Sequence, residues 1–487
     1  MIARGMPAPA RRTKILATVG PASEDERTLR GMIDAGMDAV RLNLAHGTVE
    51  EALVVHGRVR RLAAEAGRSV GTLVDLPGPK IRAASFGRDG IEVSEGQELR
   101  LVPGTERSTA EVVQVGYDDL LTGIEPGDRI AFGDGAIDIE VVSSGGEGLR
   151  AVVRHGGRLS GRPGVHIPSE RLRISTPTPE DLRILDAFVA AGVDLGAVWW
   201  GRPAPDVRRL GTEPFPRGPL VVAKIETRSA VDNLSGIVDA AGAVMVARGD
   251  LGIECPIEEL PHLQKRIIQE CIAHGRPAIT ATQMLESMVR AATPTRAEAS
   301  DVVNAVFDGS SVVMLSGETA TGSDPVNVVA TMARLCEGAD ANFDTEGWRR
   351  MVSRLRVADP DHNGGSVRRI TDTMTDAAWR VASELRANAI LCLTRTGFTV
   401  RAVARYRPRT PILAFTPDER VSRQLSVSWG ATPMQLTHFG DNEDMTSEAV
   451  QAAKDAGHIR AGDIVVVLAG VHGRSRTPDV LRVIKVT

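Results

Sequence analysis

The chain has 487 residues, 42% of them hydrophobic and 25% charged, enough for about three domains at roughly 150 residues each. Its 58 basic and 62 acidic residues leave a net charge of −4, which argues against a basic nucleic-acid-binding surface, and no apolar run approaches the roughly 18 residues of a transmembrane helix. The four cysteines, Cys255, Cys271, Cys336 and Cys392, are far apart and form no C-x-x-C, so a reducing, cytoplasmic setting is expected rather than a disulfide framework or zinc site. The first fourteen residues are basic but no apolar stretch follows them, so no secretory signal is expected.

In chain order, short apolar runs predict strands at 14–20, 38–44 and 70–76, then at 196–200, 220–226, 243–249, 277–283 and 312–318. Segments with apolar residues at helical spacing lie between them, at 24–36, 179–192 and 257–275, each ending on a C-capping glycine. Eight β-α units predict a closed (β/α)8 barrel, whose active face is the C-terminal end of its strands. The alternation breaks at 84–169, a Gly-rich stretch of short alternating strands, read as a small β lid inserted after the third barrel strand. From residue 346 onward, strands and helices alternate again, predicting a separate α/β domain with an open sheet. The expected domains are thus a barrel at 1–83 and 170–345, a lid at 84–169 and a C-terminal α/β domain at 346–487.

Each predicted barrel strand ends in polar groups: Arg41 and Asn43, Asp75, Lys224 and Glu226, Arg248 and Asp250, Thr282 and Gln283, Ser316 and Glu318. No phosphate-binding GxxxxGK[ST] loop, dinucleotide fingerprint or HExxH occurs. Any phosphate chemistry must therefore use side-chain cations, a metal ion and helix N-termini. Glu226 and Asp250 could give two hard oxygens to Mg²⁺, which usually takes one or two protein carboxylates. Lys224, two residues before Glu226, can point to the same side of its strand and suits a transferring phosphoryl group. The N–H groups of Gly249 and Asp250 could receive a carboxylate, and the hydroxyls of Thr282 and Ser316 could relay a proton. The alternative is a structural ion pair of Lys224 with Glu226 or Asp250 closing the barrel top. Only six of the 58 basic residues are lysine, among them Lys80 and Lys224. A lysine kept in so arginine-rich a chain fits a site that needs a compact ammonium, while chance accounts for about three or four of the six.

The segments TKILATVGPAS (13–23), VRLNLAHG (40–47), DLPGPKIR (75–82), FGDG (132–135), AKIE (223–226), MVARGDLGIE (245–254), TATQMLESM (280–288), PTRAEASDVVNAVFDG (294–309) and VMLSGETATG (313–322) resemble pyruvate kinase. The resemblance spans nearly the whole barrel and weakens in the lid and the C-terminal domain. It implies a barrel, a β lid and a C-terminal α/β domain, usually in a homotetramer. It also implies transfer of the phosphoryl group of phosphoenolpyruvate to ADP, giving pyruvate and ATP, with Mg²⁺ or Mn²⁺. By this resemblance Glu226 and Asp250 hold the metal, Lys224 and Arg41 meet the transferring phosphoryl group, and Thr282 helps protonate the enolpyruvate with Ser316 and Glu318 in support. Gly249 and Asp250 hold the carboxylate, while Asn43, His46 and Arg82 line the ADP side. Asp134 belongs to the lid motif and would enter the site on closure.

Most family members also need K⁺, held in motifs similar to RLNFSHG and DTKGPEIR. Here Asn43 and Asp75 remain, but Ala45 stands for the serine, Leu76 for the threonine, Pro77 for the lysine and Lys80 for the glutamate. A K⁺-independent subset of the family resembles this pattern. Lys80, with Asn43 and Asp75, is therefore expected to supply a tethered monovalent cation. Trp199 and Trp200 replace a Ser-Phe pair, making that wall bulkier, and the lid return GRPGVHIPSERLRIST has Arg162 and Pro163 where the family has lysines. Residues Thr394, Arg395, Thr396, Gly397 and Thr399 resemble a loop for a phosphorylated effector, although a plain helix start explains them equally well, and the late loop GVHGRSR (470–476) lacks the usual fructose-bisphosphate partners. Two other readings stay open: an Mg²⁺-dependent enolate lyase or aldolase, and a metabolite-sensing pseudoenzyme. No nucleic-acid or membrane partner is expected.

Overall fold

The computed structural model describes residues 11–45, 47–133, 135, 137–146, 148–174, 176–199, 218–357, 365–437, 442–470 and 478–487. In chain order, the first three strands are β1 (Lys14–Val19), β2 (Ala39–Asn43) and β3 (Gly71–Asp75). Eight short strands follow: β4 (Ile91–Val93), β5 (Glu98–Pro103), β6 (Val112–Val115), β7 (Arg129–Phe132), β8 (Ile137–Gly145), β9 (Gly148–His155), β10 (Gly157–Leu159) and β11 (Val165–His166). Then come β12 (Leu195–Trp199), β13 (Leu220–Ile225), β14 (Ala243–Ala247), β15 (Ala278–Ala281) and β16 (Val312–Leu315), and last β17 (Ala389–Leu393), β18 (Ile412–Thr416), β19 (Ala431–Gln435), β20 (Ile464–Ala469) and β21 (Val480–Lys485).

Strands β1, β2, β3 and β12 to β16 close into one parallel barrel in the order β1-β16-β15-β14-β13-β12-β3-β2. The two-residue period of each strand divides its side chains between two cores. Leu16, Ala39, Leu73, Ala197, Val222, Met245, Ile279 and Met314 fill the barrel interior. Their chain neighbours Ile15, Val40, Val74, Val198, Ala223, Val244 and Val313 face the surrounding helices. That alternation positions the site. One step of two residues beyond the interior layer carries β1 to Thr18, β2 to Arg41, β3 to Asp75, β12 to Trp199 and β13 to Lys224, all toward the C-terminal rim of the barrel.

Local sequence sets the helix boundaries. Asp25 caps the helix Glu26–Asp34, and Thr48 with Glu51, Thr178 with Asp181 and Thr295 with Glu298 form capping boxes on three others. The helix Leu260–His274 stops at Gly275, whose φ of 64° suits glycine.

The β lid lies between β3 and β12, as a six-stranded sheet β11-β7-β8-β9-β5-β6 with a two-stranded β10-β4 ribbon around its own core, including Leu101, Val113, Ile130, Phe132 and Ile139. Among the described residues the stretch also contains the short helix Leu120–Gly123. The C-terminal sheet runs β19-β18-β17-β20-β21, parallel except for the antiparallel edge strand β21. Among the described residues no helix is long and apolar enough to cross a membrane.

Candidate active site at the C-terminal rim of the barrel

The rim is a chain of alternating charges. Arg41 donates from Nε to Asp75 Oδ2 at 2.8 Å, with Nη2 at 2.7 Å from the same oxygen, and its Nη1 reaches Thr18 Oγ1 at 3.1 Å. Asp75 Oδ1 lies 3.3 Å from Lys224 Nζ, and that ammonium lies 3.4 Å from Glu226 Oε1. Asp75 and Glu226 are almost fully buried, so these are desolvated charges and their balance matters. Burial alone would raise the Asp75 carboxyl, but Lys224 and Arg41 outweigh it and hold it below the usual carboxylate range. Burial alone would likewise lower Lys224, but Asp75, Glu226 and Asp250 raise it above an ordinary lysine. Glu226 goes the other way: burial, with Asp250 and Asp75 nearby, pushes it up to about 8 despite Lys224. The rim is thus short of positive charge at Glu226.

A divalent cation fits that deficit. Among the described residues no cluster of three or more His, Cys, Asp or Glu forms a ready metal cage. Two carboxylates, from the buried Glu226 and the exposed Asp250, match the sparse protein ligation that Mg²⁺ accepts.

On the opposite side, Thr282 and Gln283 follow β15 with φ of 66° and 51°. Thr282 Oγ1 accepts from Gly249 N–H at 2.9 Å and donates to the Ala281 carbonyl at 2.7 Å. The Gly249 N–H expected to meet substrate is therefore engaged by Thr282 in this state. Ser316 Oγ is buried with no hydrogen-bond partner among the described residues, an atom suited to a substrate or a relay water. Glu318 is fully buried and accepts backbone N–H groups of Leu285 at 3.0 Å and Ser316 at 2.6 Å. Its carboxylate ties the β15 and β16 loops together.

Lys80 donates from Nζ to the Ala45 carbonyl at 2.8 Å, and Ala45 N–H donates to Asn43 Oδ1 at 3.1 Å. The ammonium therefore bridges the loops after β2 and β3. It lies close enough to Asp75, Lys224 and Arg82 to feel their charges; desolvation and the two cations lower it to about 8. The ion pairs of Asp75 among the described residues are with Arg41 and Lys224. Arg82, expected on the ADP side, donates to the Arg162 carbonyl of the lid return at 3.2 Å, a link between barrel and lid. Trp199 is half-buried against the lid core, and its Cβ would lie 2.9 Å from a Cβ at Gly78. His46, Asp134, Trp200 and residues 471–476 of the late loop lie outside the described residues.

In the C-terminal domain, Thr394 Oγ1 accepts from Gly397 N–H at 2.9 Å and Thr396 Oγ1 from Phe398 N–H at 3.3 Å, while Thr399 lies in the helix Phe398–Ala404. The hydroxyls of Thr394 and Thr396 thus close the turn into that helix, with Gly397 at φ 78°. Arg395 sits in this turn after β17.

Sequence reasoning missed two features of the rim. Asp75 serves Arg41 and Lys224 together, and Arg248 pairs with Asp301 at 2.7 Å. The available signal for the second was a charged residue in each of the two motifs ARGDLG and TRAEASD.

Residues 10–329 match the family described as pyruvate kinase, barrel domain, and residues 372–484 match pyruvate kinase, alpha/beta domain. The pyruvate kinase of Clostridium acetobutylicum is 36% identical over 97% of this chain and 99% of its own length. That of Corynebacterium glutamicum is 39% identical over 94% of each. The crystal structure of a pyruvate kinase from Cryptosporidium parvum superposes with a TM-score of 0.88 at 29% identity, covering 98% of this chain and 96% of that one. With matched fold, near-complete coverage and the charged rim in place, this chain belongs to the pyruvate kinase family.

Proposed function

We propose that the chain transfers the phosphoryl group of phosphoenolpyruvate to ADP, giving pyruvate and ATP with uptake of one proton, and does so without K⁺. The observation that carries this reading is Lys224 held between the buried carboxylates of Asp75 and Glu226, with Arg41 on the other side of Asp75. Glu226 and Asp250 would hold Mg²⁺ or Mn²⁺, which when bound offsets the negative charge of phosphoryl and enolate oxygens. Lys224 and Arg41 are pre-oriented by Asp75, so they meet the phosphoryl group without reorganising. The N–H groups of Gly249 and Asp250 receive the substrate carboxylate, Thr282 releasing the first as substrate enters. Thr282 and Ser316 pass the proton to the enolpyruvate carbon, on a rim that Glu318 keeps in register. Asn43, His46 and Arg82 face ADP, and Asp134 arrives with the lid.

Lys80 supports the K⁺-independent reading. Its ammonium sits on the Ala45 carbonyl, in the loop that Asn43 shapes, and contributes a fixed monovalent charge. The cytoplasm is the assigned compartment, in keeping with four buried free thiols. A homotetramer and a phosphorylated effector at the 394–399 loop are carried over from the family resemblance.

The test is ATP formation from phosphoenolpyruvate, ADP and Mg²⁺. Wild type is expected to turn over and to stop when the metal is chelated. Lys224→Met is expected to lower kcat by about 10³-fold, the scale of losing a preorganised electrostatic stabiliser. Folded wild type that binds Mg²⁺ but makes no ATP would overturn the reading in favour of a metabolite sensor.

A further inference from the structure

Thr282 is a β-branched residue held in the left-handed region, and Gln283 beside it is left-handed too. Such a conformation is strained and persists only where its surroundings impose it. The guanidinium of Arg248 bonds the backbone at this turn. Its Nε donates to the Ala281 carbonyl at 3.1 Å, its Nη2 to the Thr282 carbonyl at 2.5 Å, and its Nη1 to Asp301 Oδ2 at 2.7 Å. Gln264 Oε1 lies 3.4 Å from Nη1, and Met284 Sδ 2.9 Å from Nη2. Two consecutive carbonyls, on either side of Thr282, are gripped by one planar group. That group is oriented by a carboxylate from a separate helix, Arg296–Asp308.

We propose that Arg248, oriented by Asp301, is a positioning residue that sets Thr282 for proton delivery by clamping the left-handed turn at the end of β15. This rests on the phosphoryl-transfer reading above, in which Thr282 serves the enolpyruvate. Arg248 also directly precedes Gly249, whose N–H is bonded to Thr282 Oγ1. One guanidinium thereby fixes the rim on both sides of that bond. A lysine could not replace it, because an ammonium cannot span both carbonyls and the carboxylate in one plane.

The test compares wild type with Arg248→Lys, Asp301→Asn and the double variant. Three quantities are followed: steady-state kinetics, thermal unfolding, and exchange of the pyruvate methyl protons with D₂O by NMR in the presence of Mg²⁺ and ATP. Arg248→Lys is expected to lower kcat by about 100-fold, the scale of a misplaced catalytic group, and to slow methyl exchange in parallel. The KM for ADP should stay within about twofold, since ADP binding is not what the clamp serves. Asp301→Asn is expected to lower both rates by about tenfold. The double variant is expected to be no slower than Arg248→Lys alone, since the two residues act as one unit. Should Arg248→Lys fail to fold, Asp301→Asn carries the test, because it leaves the strand end untouched. Unchanged methyl exchange, additive losses, or losses confined to the KM for ADP would each overturn the inference while leaving the kinase reading intact. Wild type with neither activity would overturn both.

Discussion

Asp75 and Asp38 solve the same problem at opposite ends of the barrel strands. Each is a buried carboxylate serving more than one cation: Asp75 pairs with two, and Asp38 with Arg11, Lys14 and, at 3.8 Å, the more exposed Arg68. At the C-terminal rim Asp75 orients Arg41 and Lys224. At the N-terminal end Asp38 takes Arg11 at 2.7 Å and Lys14 at 3.7 Å, and accepts Ile15 N–H at 2.9 Å. Burial alone would raise Asp38, but Arg11 and Lys14 outweigh it and hold it below the usual carboxylate range. A lowered folded pKa stabilises above the unfolded value of about 4 and ceases to do so as pH falls through the folded value. Asp38→Asn is therefore expected to cost about 3 kcal/mol near neutrality, by leaving two buried cations without their acid. Its urea midpoint and that of wild type should converge as the pH is taken below about 4. A difference independent of pH would contradict the charge argument. The ionised form of Asp75 matters for a different reason: only the carboxylate can hold Lys224 and Arg41 together.

At the scale of elements, the connection from β3 into the lid depends on a close approach. Gly78 has φ 63°, donates to Asp181 Oδ1 at 3.0 Å, and faces Trp199 at a distance that leaves no room for a Cβ. Gly78→Ala is expected to destabilise by about 2 kcal/mol, from left-handed strain plus overpacking, read as a lower urea midpoint with kcat reduced. A variant as stable and as active as wild type would show that the connection is not packed this way. The Cβ of Trp199, together with the positive φ of Gly78, is what makes a glycine necessary there. The sequence made the barrel strands plain, because apolar runs and glycine stops are local signals. It also made Arg41, Asp75 and Lys224 legible as strand-end groups, since a two-residue period carries the interior face to the rim. It could not show that Thr282 leaves β15 left-handed, that Arg248 reaches across to Asp301, or that Glu318 turns both oxygens inward to Leu285 and Ser316. Those depend on contacts between separate loops, which no spacing along one segment encodes.

At the scale of the molecule, the C-terminal domain is fastened to the barrel by a buried cation. Arg407, left-handed at φ 47°, donates to the carbonyls of Val306 at 2.7 Å and Ser310 at 2.5 Å. Its guanidinium stacks with Phe343, Trp348 and Trp429, 4.6 to 5.2 Å from their ring centroids. Burial lowers it to about 10 even with Asp340 nearby, so it remains charged at neutral pH. Val306 and Asp301 share the helix Arg296–Asp308, so one rigid element touches the domain fastening at its end and the Arg248 clamp in its middle. Arg82 and Lys80 link the other parts of the molecule to the same rim, one through the lid return and one through the β2 loop.

On the function proposed above, Lys80 stands in for a bound monovalent cation. The decisive measurement is kcat for ATP formation from phosphoenolpyruvate and ADP with Mg²⁺ in a K⁺-free buffer, with and without about 100 mM KCl, against an ionic-strength control of tetramethylammonium chloride. It is made on wild type and Lys80→Glu. Full wild-type activity is expected without K⁺, with little gain from adding it, and Lys80→Glu is expected to lose about 100-fold in its absence through the lost charge. Wild-type turnover that requires K⁺, or a Lys80→Glu enzyme as fast as wild type without it, would show that Lys80 does not replace the cation.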